Sequence, residues 1–383
     1  MLPVYSGGAK HRIKRVRLIP EFVIVAASPS GTKATAISPT SSVSPAAANV
    51  ASPDQTNQTD SACLLAGTEK VAARLGFVPS PIARGLTTRS TAAWGIVVPG
   101  MADPFFMPIA RGIEQVAQRL GYAAMLYDTG RSANAVVEAV TAFLNFRVAG
   151  VLILGGSERR DLEMAQRLDG IPAVVAIRRS HDGAFPAVYF DHGEGTGLAV
   201  DHLVAKGRQR IAFVQGDTES VAGQERHAGY LRGLREHNRP IEPELVARGR
   251  FTLEGAAEAT AHLIGLPPLA RPDAIIYASD MMALVGLRGL RDAGISVPDD
   301  VAVIGYGDIE FAALSEPPLT TIRVPKEQIG LLAARILEQM IDTPRVKPAD
   351  VRVSLELIAR GSTTVLGDVL SHARSSDSLP ITE

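Results

Sequence analysis

A chain of 383 residues, 46% of them apolar, is long enough to bury a large core and to hold two or three domains. Its 39 Lys and Arg nearly balance its 40 Asp and Glu, so no overall field announces nucleic acid or a membrane, and any such contact must be local. The single cysteine, Cys63, cannot close an internal disulfide, no Cys/His spacing resembles a zinc site, and no apolar run reaches the roughly 18–20 residues that span a bilayer; a cytoplasmic protein is expected.

Along the chain, the basic stretch Lys10 to Arg17 precedes the apolar Leu18 to Ala27, but Pro20 and Glu21 interrupt that run and leave it too short for a signal-peptide core. No Lys or Arg occurs between Lys33 and Lys70, where Ser, Thr, Ala and Pro dominate without a period of two or 3.6; the segment reads as disordered. From Ala92 the pattern changes to short apolar runs alternating with amphipathic stretches, as in βα units around a mostly parallel sheet. Strands are predicted at Gly95 to Val98, Ala123 to Tyr127, Val151 to Leu154, Ala173 to Ile177, Ile211 to Val214, Ala274 to Tyr277 and Val301 to Ile304. After the first of them Ile109, Ile113, Val116, Ala117 and Leu120 share a helical face that ends at Gly121, and Ile329, Leu332, Ala333, Ile336, Leu337 and Met340 form a second stripe; both read as core packing. So many units in this length favour two lobes, with a ligand held beyond the C-terminal ends of strands.

The phosphate loop GxxxxGK[ST], a GxGxxG after a strand, HExxH and the GxSxG elbow are all missing from the sequence, which weakens an enzyme reading; no cofactor and no metal are expected. Asp191, His192 and Glu194 could in principle form an acid/base set, but they open a helical stretch after the run Ala187 to Phe190, where an Asp more often caps the helix.

The segment GFVPSPIARGLTTRST, Gly76 to Thr91, resembles the hinge of the LacI family, whose pattern is an aromatic residue, Pro-Asn, then Ala-Arg-x-Leu. Further family elements follow in order: Asp103-Pro-Phe-Phe106, Gly216, Arg226-His-Ala-Gly-Tyr230, Ser279-Asp-Met-Met-Ala283, Val297-Pro-Asp-Asp-Val-Ala-Val-Ile-Gly-Tyr306 and Pro318-Leu-Thr-Thr-Ile322. The resemblance runs from about Glu69 to Arg360. It implies a two-lobed periplasmic-binding-protein-like (type I) α/β fold, with parallel sheets flanked by helices. It also implies a homodimer, and operator DNA affinity switched by a small sugar or sugar-acid effector bound between the lobes. In such a hinge Leu86 would wedge into a base step of the minor groove, Arg84 and Arg89 would approach phosphates, and Pro79, Pro81 and Ala83 would shape the helix. For the effector pocket the resemblance suggests Phe105 or Phe106 as a stacking ring, Arg226 as a bidentate donor and Asp280 as an acceptor, with Phe251 as a wall. The plain alternatives are burial for the phenylalanines and helix capping for Asp280. The chain departs from the family where Arg178 and Arg179 follow Ile177 and where Gly307 displaces an acid and leaves Asp308. A guanidinium in place of a carboxylate favours an anionic effector, a sugar acid such as gluconate or a phosphosugar.

The family's helix-turn-helix should precede the hinge, yet residues 1–67 carry no such pattern, and the family sequence resumes abruptly at Glu69-Lys-Val-Ala-Ala-Arg-Leu-Gly76. Either 1–67 translates out of frame or the gene is a paralogue that has lost DNA binding, and operator binding is expected to be weak. The expected layout is 1–67 as a disordered or out-of-frame segment, 68–91 as a remnant of the DNA-binding domain with the hinge, 92–360 as the effector domain, and 361–383 as a tail. Within the effector domain, lobe 1 takes about 92–190 and 322–350, and lobe 2 takes 191–321 and 351–360. The competing function is a stand-alone sugar-binding protein without DNA binding, which would have no use for the hinge.

Overall fold

The computed structural model describes residues 91–344 and 346–364. The segment 1–67, the hinge candidates Pro79, Ala83, Arg84, Leu86 and Arg89, and 365–383 of the expected tail lie outside the described residues.

The apolar runs build two six-stranded sheets. β1 (Ala93–Val98), β2 (Ala123–Asp128), β3 (Gly150–Leu154), β4 (Ala173–Ala176) and β5 (Ala187–Tyr189) join β11 (Val351–Arg352) in the order β11-β5-β4-β3-β1-β2, all parallel. β6 (Ile211–Gln215), β7 (Val246–Arg248), β8 (Ala274–Tyr277), β9 (Ala302–Gly307) and β10 (Thr320–Arg323) form the second sheet with β12 (Glu356–Ile358). Its order is β12-β10-β9-β8-β6-β7, antiparallel only at the β12 edge. β1, with sequence AWGIVV, and β8, AIIY, show no polar alternation because the sheets are covered on both faces, and every residue of the two strands is buried.

α1 (Met107–Arg119) buries Ile109, Ile113, Val116 and Ala117. Leu120, expected on that face, is 37% exposed, because it occupies the C-cap beyond the last helical turn. α2 (Ala133–Phe146), α3 (Asp161–Leu168), α4 (His192–Ala205), α5 (Val221–Glu236), α6 (Leu253–Gly265) and α7 (Asp280–Asp292) follow. Ser132, Asp191, Ser220, Thr252 and Ser279 cap α2, α4, α5, α6 and α7, each accepting from the backbone N–H three residues on. After the short α8 (Glu310–Leu314) comes α9 (Lys326–Asp342), whose Ile329, Ala333, Ile336 and Leu337 are buried. α1 and α9 meet at glycines: a Cβ on Gly112 would lie 2.5 Å from the Glu327 carbonyl oxygen, and one on Gly330 2.1 Å from that of Ile109.

The strand pairing moves the expected lobe boundaries. β10 belongs whole to the second sheet, so the cut at 321/322 falls inside a strand, and β11, expected in the second lobe, pairs with β5 of the first. The chain therefore passes between sheets three times: after β5, after β10, and between β11 and β12. The expected tail also starts too early. Ser362 and Thr363 are buried, and Ser362 Oγ donates to the Val303 carbonyl at 2.6 Å and accepts from Thr320 N at 2.8 Å.

Candidate functional site

Loops leaving the C-terminal ends of strands in both sheets enclose a cavity of about 650 Å³. Phe105 and Phe106 reach it from the loop after β1, Arg131 from that after β2, Gly155, Gly156, Ser157, Arg159 and Arg160 from that after β3, and Ile177 and Arg178 from the end of β4. The second lobe contributes His192, Asp217, Ser220, Arg226, Phe251, Ser279, Asp280 and Tyr306. The structure thus gathers six of the seven candidate effector residues, Phe105, Phe106, Arg178, Arg226, Phe251 and Asp280, around one space.

Asp308 is not among the lining residues. It sits at φ +50°, where its carboxylate accepts from Arg323 Nε and Arg360 Nη2, both at 2.6 Å. Burial alone would raise its pKa, but those two hydrogen bonds outweigh that effect and hold it below the usual carboxylate range. Its acid is engaged within the second lobe.

Arg178 lines the cavity yet has little left to offer a ligand. Its Nη atoms grip both oxygens of Asp161 at 2.7 Å, Nε donates to the Gly155 carbonyl at 2.8 Å, and the remaining two N–H groups go to the carbonyls of Arg179 at 2.8 Å and Ser157 at 3.4 Å. All five donors are thus occupied, and the charge is neutralised by a fully buried partner. Arg179 is exposed, stacks over Tyr189 with its guanidinium 4.5 Å from the ring centre, and donates to the Tyr189 hydroxyl. The sequence-based argument for an anionic effector from this arginine pair is therefore not supported: one guanidinium holds the loop after β3, and the other faces solvent.

Arg226 is different. It is 5% exposed and forms no salt bridge among the described residues. Its Nε and Nη2 lie 3.2 Å from Nδ1 of His192, Nη1 donates to the Ala278 carbonyl, and the guanidinium sits 3.7 Å over the Tyr306 ring. Burial lowers its pKa, partly opposed by Tyr306, Asp103 and Asp280. Asp280 does not cap α7, a task that falls to Ser279. Its carboxylate accepts from Thr321 Oγ1 at 2.5 Å and Ile309 N at 2.9 Å, joining α7 to β10 and to the loop after β9. Burial pushes its pKa up to about 6 against those two hydrogen bonds.

The aromatic walls come from both lobes. Phe105 and Phe106 meet edge to face with ring centres 5.2 Å apart. Phe251, at φ +55°, lies over Gly216, where a Cβ would come within 2.2 Å of the ring; glycine is what leaves room for it. Arg131 reaches across from the first lobe to 5.0 Å from the centre of the Phe251 ring and is paired with Asp103 at 3.0 Å. Further ties span the cleft: Val221 N donates to the Gly156 carbonyl at 3.3 Å, and Arg159 pairs with Glu219 at 3.0 Å.

The trio of Asp191, His192 and Glu194 does not form an acid/base set. Asp191 caps α4, accepting from Glu194 N at 2.8 Å, and Glu194 pairs with Arg352. His192 is fully buried; burial first, then the charge of Arg226, keeps its pKa well below the usual range. Sequence reasoning gave no binding role to Arg131, His192 or Tyr306; the available signal was their position just past, or at, the ends of strands. Among the described residues no group of three His, Cys, Asp or Glu is placed to hold a metal, and no helix is long and apolar enough to cross a membrane.

Two lobes joined by three chain crossings, with a cavity between the C-terminal strand ends, define a ligand-binding module of the periplasmic-binding-protein-like class. Residues 200–363 match the family model of a periplasmic binding protein-like domain. The chain is 31% identical over 298 residues to the HTH-type transcriptional repressor CytR of Escherichia coli (strain K12), covering 78% of this chain and 87% of that protein. It is 30% identical to the ribose operon repressor of the same strain, over 79% of this chain and 91% of that one. Among solved structures, the lac repressor dimer bound to operator and the anti-inducer ONPF matches with a TM-score of 0.69 at 27% identity, over 78% of this chain and 89% of that one. The transcriptional regulator CelR in complex with cellobiose matches at 0.65 and 30%, over 77% and 89%. The chain belongs to the LacI family of transcription regulators, a family of regulators rather than enzymes.

Proposed function

We propose that this chain is a cytoplasmic, homodimeric repressor whose operator affinity is set by a small sugar or sugar acid held in the cleft. The observation that carries the reading is Arg226, a buried guanidinium in the cavity wall that no carboxylate of the described residues pairs with, facing a space walled by Phe105 and Phe251. Aromatic faces suit the C–H surfaces of a sugar ring, while Arg226 and Asp280 suit its oxygens and hydroxyls. The relatives agree in kind: one is a ribose operon repressor, and a LacI-family structure from Enterococcus faecium carries bound ribose.

The preference for a sugar acid now rests on Arg226 alone, because Arg178 is neutralised by Asp161. Calorimetry with gluconate against glucose and ribose tests it. Gluconate should bind more tightly, and a clear preference for a neutral sugar would remove the sugar-acid reading while keeping the cleft as the site. A second reading, a stand-alone sugar-binding protein, is favoured by the lack of a helix-turn-helix pattern in residues 1–67. It shares the cleft and differs only in DNA binding.

A further inference from the structure

His192 opens α4 in the second lobe, but its buried ring touches both lobes. Nε2 lies 2.8 Å from the carbonyl oxygen of Ile177, at the end of β4 in the first lobe, and Nδ1 lies 3.2 Å from both Nε and Nη2 of Arg226. A carbonyl can only accept and a guanidinium can only donate. The two contacts together admit one protonation state of the ring: neutral, with hydrogen on Nε2 and Nδ1 bare. We infer that His192 is a positioning residue for effector binding, which in this single tautomer orients the Arg226 fork and ties it to the Ile177 carbonyl across the cleft. The inference rests on the cleft being the effector site.

The surroundings leave the ring little freedom. The Phe190 ring centre lies 4.3 Å from that of His192, and the Tyr306 ring centre 6.3 Å away. Ile177 is a β-branched residue held at φ +67°, a left-handed conformation that such a residue keeps only where the surroundings enforce it. The charged group on the ring is Arg226, from α5. Glu225, from the same helix, engages the backbone N–H of His192 rather than the ring, Asp191 caps the helix, and Tyr306 of β9 donates its hydroxyl to the His192 carbonyl at 3.3 Å. No acid stands against the imidazole among the described residues. A proton on Nδ1 would point at the guanidinium, and both bonds to Arg226 would be lost.

Two measurements on the full chain decide the matter. With 15N-labelled histidine, the His192 signal, assigned by its loss in His192→Phe, should show a protonated Nε2 and a bare Nδ1, unchanged from about pH 8 to pH 5.5. An Nδ1–H tautomer, or a midpoint near the ordinary histidine value with the fold intact, would overturn the inference. Calorimetry with D-ribose and with D-gluconate as probes should show His192→Phe weakening whichever sugar the wild type binds by about tenfold or more. His192→Asn keeps an acceptor for Arg226 and should recover much of that loss, and His192→Phe should add nothing in an Arg226→Ala background. If His192→Phe lowers thermal stability but leaves the affinity unchanged, the histidine is only a packed core residue. Should the wild type bind neither sugar, the effector reading fails for those sugars, and the tautomer still decides the role of the ring.

Discussion

Arg178 and Arg226 are both buried guanidinium groups in the cavity wall, and their partners give them different work. Arg178→Ala leaves Asp161 buried without its cation, so a loss of about 3–5 kcal/mol in urea unfolding is expected. Arg226→Ala removes a donor with no acid partner among the described residues and should weaken effector binding by about 1.5–3 kcal/mol, read by calorimetry. Equal effects of the two substitutions on stability and binding would contradict this division. The sequence marked both arginines as candidates, but could not tell them apart. The difference lies in Asp161, which stands 17 positions before Arg178 in an unremarkable stretch and meets it only through the fold.

The pH dependence of stability carries opposing signs. His192 has its pKa lowered in the fold from 6.5, so as pH falls below that value the unfolded chain binds a proton that the fold refuses, and stability present above it is lost. His202 and His227, also lowered, act in the same direction. Asp280 is raised from 3.8 to about 6, so between those values the folded state holds the proton first, and lowering the pH through this window adds stability. Urea midpoints should fall from pH 7.5 to 5.5 in the wild type, and fall more steeply in Asp280→Asn, which lacks the offsetting gain. A shallower slope in that variant would refute the assignment.

At the level of elements, α1 and α9 are held close by facing glycines. Gly330→Ala would drive a methyl group into the Ile109 carbonyl, and a cost of about 1–3 kcal/mol in chemical unfolding is expected; a neutral result would mean the pair can part freely. The strands predicted from the sequence were those with continuous apolar runs, such as β3, GVLIL, and β8, AIIY. β5, β7, β10, β11 and β12 were not among the predicted strands, because two to four residues such as TTIR, VAR or VR carry too short a pattern and become strands only by pairing with distant ones. For the same reason the lobe boundaries, which depend on those pairings, were misplaced. The caps were more legible: Asp191 reads as an N-cap from its place ahead of a helical stretch, and it is one.

For the whole molecule, the two-lobed class followed from counting βα units, and the family from motifs spread over three quarters of the chain. The effector could not be read in the same way, since residue types at the strand ends do not reveal which charges are already paired. The weak operator binding expected from the sequence of residues 1–67 is tested by gel shift at physiological salt, where nanomolar affinity would contradict it. The cleft itself is tested most directly by thermal unfolding of the wild type and Arg226→Ala in the presence of ribose, cellobiose, gluconate and glucose, because a ligand bound only by the folded state raises its stability, by about 2.7 kcal/mol at a hundredfold excess over Kd. At least one of these sugars should raise the midpoint of the wild type, and should raise that of the variant clearly less; no shift with any of them, or equal shifts in both proteins, would contradict a sugar-binding cleft centred on Arg226.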